Sequence, residues 1–231
     1  MKLTTEQIER LYEFTRQHFV EWYDLQTEFV DHLANSIETQ WAENPKIAFE
    51  DALKIEFKKF GVFGFMDVVD NRKIALNKKY NKIVWKHFKA FFTIPKGIAT
   101  FSLMFVFYFT LMYLNDLAGL LINTLLILVL VSFWIATIFQ RMKNNKQEKI
   151  TGKKWLFHQI ISGYSTFLAL SYLPTQIMMR VDYESGLSVF KAVFFSVLIV
   201  SLYLLEYIII FEIPSKAEQY LKETYPEYEL I

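Results

Sequence analysis

Four apolar runs, at about 94–114, 117–139, 155–179 and 189–213, dominate the second half of the chain. Each is long enough to cross a hydrocarbon core, which takes about 20 helical residues. The chain has 231 residues with only 7 Gly and 5 Pro, so long uninterrupted helices are easier to build than a turn-rich sheet. The expected fold is all-α: an integral membrane four-helix bundle preceded by a small N-terminal cytosolic helical domain. The third run carries Gln159, Pro174 and Gln176, which predict a kink near one end.

The connections set the expected orientation. Segment 140–154 holds Arg141, Lys143, Lys146, Lys149, Lys153 and Lys154 against one acid, Glu148. The turn at Asn115 and Asp116 has no base, and segment 180–187 balances Arg180 with Asp182 and Glu184. By the excess of Lys and Arg on cytosolic loops, both termini are expected in the cytosol, which an even number of spans satisfies. The far-side turns are short, so spans one and two, and spans three and four, should be antiparallel hairpins with little outside surface.

Charge divides the rest of the chain. Residues 1–70 are acidic, whereas 71–115 contain Arg72, Lys73, Lys78, Lys79, Lys82, Lys86, Lys89, Lys96 and no acid. The reading is an acidic head (1–70), a basic juxtamembrane stem (71–93), four transmembrane helices (94–213) and an acidic tail (214–231). In the head, Thr4 and Gln7 form a capping box, and Ile8, Leu11, Tyr12, Thr15, Phe19 and Trp22 recur at helical spacing toward an end near Trp22. Asp24 is expected to cap a second helix with the ridge Leu25, Phe29, Leu33, Ile37 and Trp41, halted by Asn44 and Pro45, which would themselves cap and start a third helix. That third helix should turn Ala48, Phe49, Ala52, Leu53, Ile55 and Phe60 inward and end at Gly61. Such a core is marginal below about 70 residues. The tail should form a short amphipathic helix beside the basic stem or the 140–154 loop.

Net charge of +1 gives no reason to expect nucleic acid as a partner. Cysteine is absent, which removes disulfides, thiolate metal sites and cysteine nucleophiles. There is no apolar signal core at the N-terminus, no nucleophile elbow and no phosphate-binding loop. No catalytic, cofactor-binding or metal site is expected. Glu206 lies inside the fourth run, where an ionised carboxylate costs about 2.5 kcal/mol or more without a partner. Counting inward from the cytosolic edges puts Ser102, Ser132, and Ser162 or Tyr164 at similar depth, an intramembrane polar layer. Interhelical bonding, a proton or ion site, and snorkelling to the interface are the readings open for Glu206. In the head, Glu28 and His32 are spaced as an i,i+4 pair. Lys78, Lys79, Lys82, Lys86 and Lys89, among Tyr80, Trp85 and Phe88, read as a helix at the headgroup layer or as a specific anionic-lipid or nucleic-acid site.

The stretch Asp24-Leu25-Gln26-Thr27-Glu28-Phe29-Val30-Asp31-His32-Leu33, followed by Pro45, Ala48, Ala52-Leu53 and Phe60-Gly61, resembles the small helical prefix domain found before some bacterial permeases and membrane-bound signalling proteins. The whole chain resembles bacterial four-span membrane proteins. The resemblance implies a cytosolic module for regulation or assembly and not for catalysis. It departs from that pattern in lacking a large permease body and in the bulky Phe49, Ile55 and Phe57 of the third helix. The expected function is a non-catalytic scaffold, accessory or regulatory subunit of a membrane complex in a bacterial inner membrane. Residues 1–70 would bind a protein partner or a second copy. The alternative is a small transporter or channel-like subunit built on Glu206.

Overall fold

The computed structural model describes residues 2–161, 172, 176 and 187–225, apart from the side chain of Gln147. Every regular element among the described residues is helical. Three helices are long and apolar enough to cross a membrane: Lys96–Tyr113, Asn115–Thr151 and Val189–Ser215. Most of the third apolar run, with Ser162 and Tyr164, lies outside the described residues.

The chain divides into two compact units, the first comprising Met1–Lys78 with Gln147–Phe157. Helix α1 (Thr5–Gln17) opens on the anticipated box, Thr4 accepting from Gln7 N and Gln7 from Thr4 N. It stops five residues earlier than the apolar spacing suggests. Phe19 takes φ 63°, a left-handed conformation that a bulky residue adopts only in a turn, and its ring is turned out of the core. Helix α2 (Tyr23–Glu43) is flanked by Trp22, so Asp24 is not its cap. Asp24 lies in the first turn, buried, and accepts from Leu156 N at 3.1 Å, while Tyr23 N donates to Lys154 O at 2.7 Å. Residues 147–157 thus complete the head. Lys154 pairs with Glu21 and Glu148 at 3.2 and 3.3 Å, and the bond to Glu21 holds its ammonium above the ordinary lysine range.

Asn44 and Pro45 end α2, but the third helix starts only at Phe49, after Ala48. Helix α3 (Phe49–Lys58) buries Ala52, Leu53 and Glu56, and leaves Ala48 and Ile55 exposed, against the inward placement the spacing suggests. Glu56 tolerates burial because Lys59, at 2.6 Å, and Gln40 both donate to it. Phe57 joins a cluster with Phe14, Phe60 and Phe65, its ring 5.1 Å from Phe14 and 5.0 Å from Phe65. This bulky residue therefore fills the core. Gly61 has φ 78°, as its place after the helix requires. Helix α4 (Met66–Ala90) forms the stem and runs from the first unit into the second.

The second unit comprises Lys79–Lys146 with His158–Ile231. Helix α5 (Lys96–Tyr113) is followed by a 3-10 turn (Asn115–Leu117) and by α6 (Ala118–Thr151). Segment 140–154, expected as a loop, is helical to Thr151, because Gln, Lys and Glu propagate a helix and nothing breaks it before Gly152 at φ 66°. Helix α7 (Leu156–Ile161) precedes the undescribed stretch, and α8 (Val189–Tyr207) continues through a π turn (Ile208–Glu212) and one last α turn (Ile213–Ser215). The core joins Leu111 of α5, Ile122, Leu126 and Val129 of α6, and Ala192, Phe195, Ile199 and Leu202 of α8. These positions recur every three or four residues, one stripe per helix. The opposite faces expose Ile98, Phe105, Leu120, Ile138 and Phe190, a surface rare on soluble monomers and suited to hydrocarbon. Asn115 Oδ1 accepts from Leu187 N at 2.9 Å, which holds the residues just before α8 beside the turn between α5 and α6.

Between α4 and α5 the chain folds back tightly. Thr100 Oγ1 donates to Phe91 O at 2.9 Å, and a Cβ on Gly97 would stand 2.9 Å from the Phe92 carbonyl oxygen. Backbone cannot yield as a side chain does, so Gly97→Ala should destabilise this unit by about 1–3 kcal/mol. Thermal unfolding in detergent should show a lower midpoint; an unchanged midpoint would mean that the close approach relaxes without cost.

Candidate functional site

The polar groups of the second unit gather along one end of the last apolar helix. Glu206 of α8 is buried and accepts a hydrogen bond from Ser132 of α6. Of the expected polar layer this pair is present. Ser132 itself sits at an exposed rim, Ser102 is exposed on α5, and Ser162 lies outside the described residues. Just beyond Glu206 the helix widens into the π turn, a geometry in which carbonyls lose their i+4 partners and which recurs at functional positions. Gln140, two turns beyond Ser132 on α6, donates from Nε2 to the Ile210 carbonyl at 3.2 Å. Helix α6 therefore grips α8 on both sides of the point where its winding changes.

The π turn delivers Glu212 to the stem. Glu212 Oε1 lies 2.9 Å from His87 Nδ1 and 3.3 Å from Lys216 Nζ, and His87 Nε2 lies 2.8 Å from the Tyr220 hydroxyl. Tyr220 belongs to α9 (Ala217–Thr224), the tail helix. Burial, reinforced by Glu223 and Glu212, raises the Tyr220 phenol, so it keeps its proton. With a neutral ring, Tyr220 then donates to Nε2 while Nδ1–H donates to Glu212; with a charged ring both nitrogens donate and the hydroxyl accepts. The clamp stays hydrogen-bonded in either state. One turn along α9, Thr224 Oγ1 accepts from Lys79 at 2.7 Å. The tail packs on the stem as expected, but through uncharged hydroxyls more than through its acids.

Sequence reading missed His87, Gln140, Glu212 and Tyr220 as a set. The available signal was His87 two turns after Tyr80 on the inner face of an amphipathic helix, but nothing in spacing shows that Glu212, 125 residues later, and Tyr220, 133 residues later, return to it. Tyr80 is fully buried with its hydroxyl unpartnered, and burial lifts its phenol above the ordinary range. Removing an unsatisfied buried hydroxyl should help, so Tyr80→Phe is expected to stabilise the protein by about 1 kcal/mol in chemical denaturation. A loss of that size would mean a partner for the hydroxyl.

The head pair is not formed: Glu28 turns to Arg72 at 3.5 Å, and His32 packs its ring 5.7 Å from Phe60. A longer reach to a cation outweighs an exposed i,i+4 contact to a histidine. Among the described residues no group of three or more His, Asp or Glu is placed to hold a metal. The head also has a groove of about 800 Å³ lined by Glu9, Tyr12, Glu13, Arg16, Glu148 and Lys153 among others, with charges of both signs and no convergent set. Of the five stem lysines Lys79 turns inward, while Lys78, Lys82, Lys86 and Lys89 are exposed.

The Ser132–Glu206 bond predicts measurable coupling. A double-mutant cycle of Ser132→Ala and Glu206→Leu, read by unfolding in detergent, should give about 0.6–1.7 kcal/mol. Strict additivity would remove the interhelical role.

Fold and site together define an all-helical protein with three helices long and apolar enough to cross a membrane, cross-braced by polar contacts. Compared with protein-family models, curated proteins and solved structures, the chain matches none of them.

Proposed function

We propose that this is a multi-pass membrane protein of the bacterial inner membrane, with both termini cytosolic, acting as a non-catalytic scaffold or regulatory subunit of a transport or signalling complex. The head is its partner-binding module, in line with its resemblance to prefix domains. The observation that carries this reading is a bare apolar tip: Phe19, Val62 and Phe63 are 78%, 97% and 70% exposed, more than any other large apolar side chain described in residues 1–78. The turns that present them meet at Phe57, whose ring lies 4.3 Å from the His18 ring and abuts Gly64. An acidic domain that buries Phe29 and Phe65 and half-buries Phe14 around a shared core, but turns these three large apolar groups well out into water, holds a contact surface.

The test is affinity purification of the full-length protein from its native membrane, with and without Phe19→Asp and Phe63→Asp. A partner or second copy should accompany the parent in near-stoichiometric amount and be lost from the variant, while insertion is unchanged. A parent that purifies alone, as a monomer in mild detergent, overturns the reading. The Ser132–Glu206 contact favours a second one, a small transporter or channel-like subunit. It requires flux in liposomes that is abolished by Glu206→Leu and retained when the head tip is changed.

A further inference from the structure

The two faces of the stem differ in what they have left to bind. The inner face of α4 is occupied: Lys79 holds Thr224, Tyr80 is buried, and His87 clamps Glu212 and Tyr220. The outer face carries Lys82, Trp85, Lys86 and Lys89 at three- and four-residue spacing, all exposed, with Lys78 one turn earlier in the same row. Among the described residues no carboxylate lies within ion-pair distance of these lysines. Of the described acids from the π turn onward, Glu212 is taken up by His87 and Lys216, Glu218 by Lys222 and Glu223 by Gln219. Lys89 instead places its ammonium 5.4 Å from the Trp85 ring centroid, and that indole stacks on Phe88 at 5.4 Å. Trp85 remains 54% exposed.

Cations with no carboxylate partner, set around an exposed indole in a stretch (71–115) whose sequence holds no acid, form a strip suited to an anion. Its place names the anion. Only residues 91–95 separate the end of α4 from Lys96, the first residue of α5, and five residues reach at most about 18 Å. Where α5 enters a bilayer, the strip lies at headgroup depth, where tryptophan is favoured and clustered lysines meet anionic lipid.

We infer that the outer face of the stem, through Lys82, Trp85, Lys86 and Lys89, binds the headgroups of anionic phospholipids. This rests on the membrane reading but not on the scaffold role, and it stands if the head has no partner.

The chain has no cysteine, so a single Asn81→Cys, exposed beside the strip, takes a fluorophore uniquely. The labelled full-length protein is placed in nanodiscs of phosphatidylcholine with or without phosphatidylglycerol, and quenching by lipids brominated near the headgroup is measured. Quenching should be several-fold stronger with phosphatidylglycerol and should weaken with added salt. Lipid co-purifying with the protein should be enriched several-fold in phosphatidylglycerol over the bulk. Both effects should vanish in Lys82→Gln/Lys86→Gln/Lys89→Gln, which alters only exposed side chains and should elute as the parent does. Equal quenching in the two lipid mixtures, or an unchanged preference in the triple variant, overturns the inference. So does preferential binding of an RNA oligonucleotide to the strip with no lipid dependence.

Discussion

Replacing His87 with alanine should release the tail helix from the stem. The substitution removes bonds of 2.9 Å to Glu212 and 2.8 Å to Tyr220 at once, and leaves a mostly buried carboxylate with Lys216 as its remaining cation. Stranding a buried charged acceptor costs about 2–3 kcal/mol, which corresponds to loss of hydrogen-exchange protection by roughly 30- to 150-fold. The loss should be confined to α9 and the π turn, with the α6 amides unaffected. His87→Gln, which keeps one donor, should fall between. Unchanged exchange at 217–224 would mean that Leu221 and Tyr225, both buried, hold the tail without the clamp.

Asp24→Ala should open the head. Asp24 is buried on α2, and its Oδ1 meets Leu156 N at 3.1 Å, so alanine leaves that amide without its acceptor. The expected cost is about 2 kcal/mol. A core this small supplies about 3–5 kcal/mol in all, so the loss is a large share of the head's stability. Protease cleavage at 152–155 should accelerate, while peptides from α8 remain protected. Asp24→Asn keeps a carbonyl acceptor and should recover part of the effect. Equal cleavage of parent and Asp24→Ala would show that Tyr23 N to Lys154 O and the Lys154 ion pairs close the head by themselves.

These variants address different parts of the proposed role. If the head tip binds a partner, Asp24→Ala should weaken that association indirectly and Phe63→Asp directly, whereas His87→Ala should leave it intact. The clamp and the lipid strip occupy opposite faces of α4, so the same helix joins the tail on one side and, as proposed, phospholipid on the other.

Sequence by itself determined what depends on local pattern. The apolar runs specify long helices because length and hydropathy need no partner to be read, and α5, α6 and α8 follow them. The capping box at Thr4, the left-handed Gly61 and the basic stem helix follow from residue type and spacing, whereas the choice of Ser132 among the hydroxyls offered to Glu206 does not. Tertiary structure alone decided where the chain returns on itself. Asp24 became an acceptor for Leu156 instead of a cap, Glu28 turned from His32 to Arg72, and Phe19 left its helix through a left-handed turn. His87 met Glu212 and Tyr220 because a π turn reset the helix ahead of the tail. A side chain's own helix fixes the face it occupies, but its partner is set by loops and winding changes far along the chain, and no local period records those.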